Sequence, residues 1–142
     1  LPAKNDGSTS QSIFETIMGA KPKTWVWRNR DMKDLMGINR GRRVATFAAP
    51  ADYTVGHGGE LFWCEVKSTL DPKRFNYGQI ENGQRQAACI SATIGTPYLF
   101  IIHSLKLNKW FQLTGAQFAA DVKAGVKSRT FEELEPCTFI TT

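Results

Sequence analysis

The sequence predicts a mixed α/β sandwich. Three stretches predict it: a glycine-centred hairpin over 52–67, a helix over 80–94 and a nearly unbroken apolar strand over 98–102. In the first, Asp52-Tyr53-Thr54-Val55 and Glu60-Leu61-Phe62-Trp63-Cys64-Glu65-Val66-Lys67 flank Gly56-His57-Gly58-Gly59. Aromatic and β-branched flanks around glycine read as two strands and a tight turn. In the second, Ala87, Ala88, Ile90 and Ile94 form an apolar face, and Gly95 stops the helix. In the third, Tyr98-Leu99-Phe100-Ile101-Ile102 has no polar face, as in a central strand covered on both sides.

The other elements follow in order. Residues 1–11 are small and polar and read as a flexible tail. Residues 12–142 then form one domain, opened by a helix that Ser10-Gln11-Ser12 can cap. Ile13, Phe14, Ile17 and Met18 give that helix one apolar stripe, with Glu15 off its centre. Thr24-Trp25-Val26-Trp27 reads as a strand, and Thr69–Tyr77 as a loop. Lys109–Leu113 is a further strand, and Thr114 or Gly115 opens a helix through Phe118, Ala119 and Val122. Thr138-Phe139-Ile140 reads as a last β-like run.

Composition removes several classes of function. No apolar run approaches the length of a membrane span, and Leu1–Gln11 has no signal-peptide core. No phosphate-binding glycine loop and no G-x-G-x-x-G occurs, so no nucleotide cofactor is expected. Three widely spaced cysteines (64, 89 and 137) argue against a disulfide framework or zinc site and for a reducing cytoplasm. The net charge is +5, and Lys21–Arg43 alone carries +6, so the excess is concentrated there. Its Arg28, Arg30, Lys33, Arg40, Arg42 and Arg43, interleaved with Gly37, Asn39 and Gly41, suit a segment lying along nucleic-acid phosphates. Lys73 and Arg74 add charge in the loop after the hairpin.

The chemistry converges on the hairpin. Side chains alternate along a strand, so Glu65 and Lys67 share a face about 7 Å apart, while Phe62, Cys64 and Val66 point into a core. Pairing across the turn brings Asp52 beside Glu65. Two adjacent carboxylates repel unless a cation sits between them. Without a dense Cys/His cluster nearby, that cation is a hard one, Mg²⁺ or Mn²⁺. Lys67 can position or deprotonate an attacking water, or stabilise charge on a phosphate oxygen. Glu15 is either a solvated helix residue or an additional acidic group reaching the site from its rim. His57 reads as a turn residue and His103 as a satisfied buried histidine.

Asp52-Tyr53, the interval to Glu65-Val66-Lys67, Gly59 at the turn, Thr69, and Phe75 ahead of Gln84 together resemble the PD-(D/E)xK nuclease superfamily. Within it, the part from Asp52 to about Phe118 resembles the RecU-type Holliday junction resolvases. Glu81-Asn82-Gly83 stand where that family has histidines. The resemblance implies a restriction-endonuclease-like three-layer core, a mixed central sheet flanked by helices. It implies that Asp52, Glu65 and the Val66 backbone carbonyl hold the metal, that Lys67 acts on water, and that Gln84 supports the lysine or the water. It further implies a bacterial or phage-encoded cytoplasmic homodimer that cleaves branched DNA, above all four-way junctions. A nicking or restriction-like endonuclease and a non-catalytic DNA-structure-binding protein are the alternatives on the same fold.

Overall fold

The computed structural model describes residues 7–29 and 49–140. The elements run α1 (Ser8–Gly19), β1 (Thr24–Arg28), β2 (Tyr53–His57), β3 (Glu60–Thr69), β4 (Arg74–Asn76), α2 (Asn82–Ile94), β5 (Tyr98–Ser104), β6 (Lys109–Thr114), α3 (Gly115–Lys123), β7 (Ser128–Thr130) and β8 (Glu135–Pro136). Among the described residues the main sheet has six strands in the order β1-β2-β3-β5-β6-β8. Among the described residues only the β3–β5 pair of this sheet is parallel, so the α/β sheet is mixed, as the sequence predicts. Among the described residues, no helix is long and apolar enough to cross a membrane.

The hairpin sets the register. His57 faces Glu60, leaving Gly58 and Gly59 as a two-residue loop with φ of 59° and 82°. Both central residues being left-handed is the tight-hairpin geometry that glycine adopts without a Cβ penalty. The predicted turn is therefore shorter than the glycine-rich run, because Gly56 and His57 belong to β2. Parallel pairing of β3 with β5 requires a crossover, and α2 lies in it.

Each face of the sheet carries its own core. On one, Phe14 and Met18 of α1 pack with Tyr53, Val55, Phe62, Cys64, Val66 and Ile101. On the other, Ala88 of α2 and Phe118 of α3 pack with Tyr98, Phe100, Ile102 and Phe111. The alternation along β3 is as predicted, with Phe62, Cys64 and Val66 in one core and Trp63 against the other. Phe100, Ile101 and Ile102 are fully buried, as a strand covered on both sides must be.

Three expectations need correcting. Ser8–Gln11, assigned to the flexible tail, form the first turn of α1, where Ser10 is buried and donates to or accepts from His103 Nδ1 at 2.8 Å. The 69–77 segment contains β4, whose partner β7 lies more than 50 residues later and could not be read locally. Thr138–Ile140 is not a strand: the Thr138 N–H donates to the Gln112 side chain, while Ile140 is buried without a ladder.

An ion pair between the buried Asp121 and the half-buried Arg129 ties α3 to β7. Asp121 accepts from Arg129 Nε at 2.8 Å and Nη2 at 2.5 Å, from Gln117 at 2.9 Å, and from the Tyr77 hydroxyl. The Arg129 hydrogen bonds hold the Asp121 carboxyl down at about 2, against an ordinary 3.8. That stabilisation is complete above the ordinary value and fades as pH falls towards 2. Arg129→Ala takes two donors from the buried Asp121 carboxylate, so we expect lower stability at pH 7 in urea unfolding, with a deficit that shrinks below pH 3.

Candidate functional site

Asp52 stands one residue before β2, just past the Tyr53–Cys64 pair, and so opposite Glu65. The register makes that juxtaposition, and hydrogen bonds fasten it. The Asp52 N–H donates to Glu65 Oε2 at 2.9 Å, and the Val66 N–H donates to Asp52 Oδ2 at 3.2 Å. From the other core layer, Gln84 in the first turn of α2 donates through Nε2 to Glu65 Oε1 at 2.6 Å. Its own Oε1 accepts the Glu81 N–H at 3.1 Å, which locks the amide orientation. Lys67 Nζ lies 3.7 Å from Glu65 Oε1. These groups line a cleft of about 510 Å³ together with Gln11, Ser68, Gln79 and Glu81.

Burial governs the electrostatics. Glu65 is only 3% exposed. Loss of water first, and the neighbouring Asp52 charge second, push its carboxyl up to about 8. Burial raises the Asp52 carboxyl as well, against the pull of its hydrogen bonds and of Lys67. Burial thus works against ionising both carboxyls, and a bound cation would favour it.

The structure brings Asp52, Glu65, Lys67 and Gln84 together. Gln84 grips Glu65, whereas the resemblance implied support of the lysine or the water. Glu15 stands elsewhere: it accepts from the Tyr53 hydroxyl at 2.7 Å, lies 4.0 Å from Arg28, and does not line the cleft. Tyr53 alternates with Asp52 along the chain and faces the opposite core, which takes Glu15 away from the pair. The N–H groups of Lys73 and of Arg74, which opens β4, donate to Asp71, and neither residue lines the cleft. Arg30, Lys33, Arg40, Arg42 and Arg43 lie outside the described residues.

His57 ends β2 and bonds Thr24, and His103 is buried between Ser10, Asn108 and the stacked Trp110 ring. Burial lowers the His103 imidazole, consistent with a satisfied neutral side chain. Cys64, Cys89 and Cys137 are free. Sequence reasoning missed Gln11, whose Nε2 donates to Asp52 Oδ2 at 3.2 Å. No local signal marks it, because only the docking of α1 on the sheet brings it there. Glu81 was noted only as a departure from the histidines, and it too lines the cleft.

No family model and no curated protein matches the chain.

The residues present fit a hard divalent cation. Two desolvated carboxylates adjoin, and the Val66 carbonyl points to the same side of β3 as its N–H, which meets Asp52. Among the described residues, no group of three or more His, Cys, Asp or Glu side chains converges as a metal cluster. An all-oxygen set of this size leaves most positions to water, as Mg²⁺ prefers.

A carboxyl raised in the folded state binds a proton that the unfolded chain releases, so stability falls as pH rises from 4.5 towards 8. In EDTA, Glu65→Gln removes that penalty. We expect its Tm to fall less than that of wild type between pH 5 and pH 8, measured by thermal unfolding. Parallel pH profiles for the two proteins would contradict the assigned burial cost.

Proposed function

We propose that this chain is a metal-dependent, structure-selective endodeoxyribonuclease on a restriction-endonuclease-like core, and that it resolves four-way DNA junctions. One observation carries the reading. A buried carboxylate, Glu65, paired with the half-buried Asp52, adjoins a lysine 3.7 Å away in a polar cleft. That set matches the needs of phosphodiester hydrolysis: anionic oxygens for a hard cation, and a cation from the protein beside them.

Mg²⁺ or Mn²⁺ held by Asp52, Glu65 and the Val66 carbonyl would supply charge neutralisation and a more acidic water. The chain's own groups do the rest. Gln84 and the Asp52 N–H fix the Glu65 carboxylate, so its free lone pairs face the cleft. Gln11 and the Val66 N–H do the same for Asp52. Lys67 orients the nucleophilic water and stabilises charge developing on the phosphate oxygens. The basic segment through Arg40, Arg42 and Arg43, with Lys73 and Arg74, provides phosphate contacts. Resolving a two-fold symmetric junction takes paired nicks, so the working species is a C2 homodimer of about 32 kDa, twice the 15.9 kDa chain.

The test is cleavage of labelled four-way, flap and linear DNA with Mg²⁺ or with EDTA. We expect metal-dependent cleavage with preference for the junction. Asp52→Asn, Glu65→Gln and Lys67→Ala should each lower the rate by about two to four orders of magnitude while the protein stays folded. Wild-type turnover in any one variant removes that residue from the mechanism. Equal cleavage of linear duplex and junction rejects the resolvase assignment in favour of a nicking or restriction-like enzyme.

A further inference from the structure

On the sheet face that carries Glu65, two tryptophans stand out in solvent. Trp25 is 51% exposed and Trp27 67% exposed, although aromatic side chains of this size are usually well covered. They are two apart on β1 and therefore share a face. Val26 between them packs into the α1-side core, which assigns the tryptophans to the opposite side. Across the sheet, Trp27 lies in one row with Thr54 and Trp63. Asn29, Asp52 and Glu65 form the next row, because the Asn29 N–H donates to the Asp52 carbonyl at 2.8 Å and the Asp52 N–H reaches Glu65. The side chains of Thr54 and Asn29 meet at 3.0 Å, which joins the two rows on one face. Two residues of strand, about 7 Å, separate the rows.

Trp25 is also built flat. A Cβ placed on Gly56 would fall 2.3 Å from Trp25 Nε1 and within 2.9 Å of two further ring atoms. Glycine at this strand position therefore lets the indole lie against the backbone. One ring face is spent on the sheet, and the other is presented to solvent at low entropic cost.

We propose that Trp27 and Trp25 form a stacking platform for unpaired bases flanking the phosphate held at Asp52 and Glu65. This rests on the nuclease reading for its position and deepens it by naming what the chain recognises: DNA with open bases near the cut. Three observations select this occupant: the platform continues the candidate site on the same face, Trp27 stands one strand over and one row along from Asp52, and the chain carries +5. Indoles stack on any base, so the platform distinguishes open from paired DNA without reading sequence. Fully paired linear duplex offers no base face and would gain nothing from it.

The test is binding by the full chain in EDTA to a single-stranded oligonucleotide, a flap and a linear duplex, each carrying 2-aminopurine. Wild type should quench the fluorophore in the first two and not in the duplex. Trp27→Ala should weaken single-strand and flap binding about 5- to 150-fold, the loss of one base stack, and leave duplex binding within about twofold. Trp27→Phe should restore part of the loss, and unchanged circular dichroism should show that both variants fold. Unchanged single-strand and flap affinity in Trp27→Ala overturns the platform, whether or not the protein cleaves. Equal losses on all three DNAs overturn it as well. Dissociation of a dimer by Trp27→Ala with unchanged DNA affinity would make the face a self-association surface, and the platform falls. Selective loss of open-DNA binding in a protein without Mg²⁺-dependent cleavage supports the platform and overturns the nuclease reading alone. A wild-type chain that binds none of the DNAs overturns both.

Discussion

A carboxylate taken out of water must be held by donors or by a cation, and Glu65 imposes that requirement on its surroundings. Its two oxygens are met by the Asp52 N–H and by Gln84 Nε2. The first donor fixes where β2 begins relative to β3. The second fixes the first turn of α2 over the sheet. Lys67 is close enough to offset the charge, yet its ammonium remains available to the cleft. The start of α2 also places the positive end of the helix dipole near Glu65, which favours negative charge there. One buried side chain thus couples a strand end, a helix start and the electrostatics of the cleft.

The sheet topology makes this coupling possible. Parallel pairing of β3 with β5 sends the chain through α2 across one face, and α2 is what carries Gln84 back to β3. The antiparallel β2–β3 hairpin delivers Asp52 to the same place along the sheet. On the opposite face, α1 docks through Phe14 and Met18 and extends Gln11 to Asp52. Both layers therefore contribute to a site that sits at the end of the shortest hairpin. The Asp121–Arg129 pair fastens Tyr77 and β7, and neither of its residues lines the cleft.

The two faces are covered unequally. The side chains of α2 and α3 reach β5, β6 and Trp63 of β3, whereas Trp25, Trp27 and Leu61 remain exposed on the β1–β3 portion. A protein that needed only stability would gain by covering two indoles with its own chain. Their retention beside the polar cleft, with Gly56 accommodating one ring, is the asymmetry that the recognition proposal explains.

What the sequence determined by itself is what local chemistry controls. Gly58-Gly59 specified the hairpin, and the hairpin register alone places Asp52 against Glu65. Alternation put Lys67 on the same face, and the all-apolar run 98–102 announced a strand covered on both sides. Gly95 and Thr114 marked helix ends where they fall. The tertiary structure decided the rest, because the partners are remote in sequence. Pairing of β4 with β7 joins segments whose polar residues carry no strand signal of their own. Ser8–Gln11 look like a tail until α1 meets His103 and Asp52. Glu15, seen in sequence as a possible site acid, is turned to Tyr53 because neighbouring residues on a strand face opposite ways. The rise of the Glu65 carboxyl to about 8 likewise needs the walls of the cleft, since desolvation comes from atoms that no local pattern brings together.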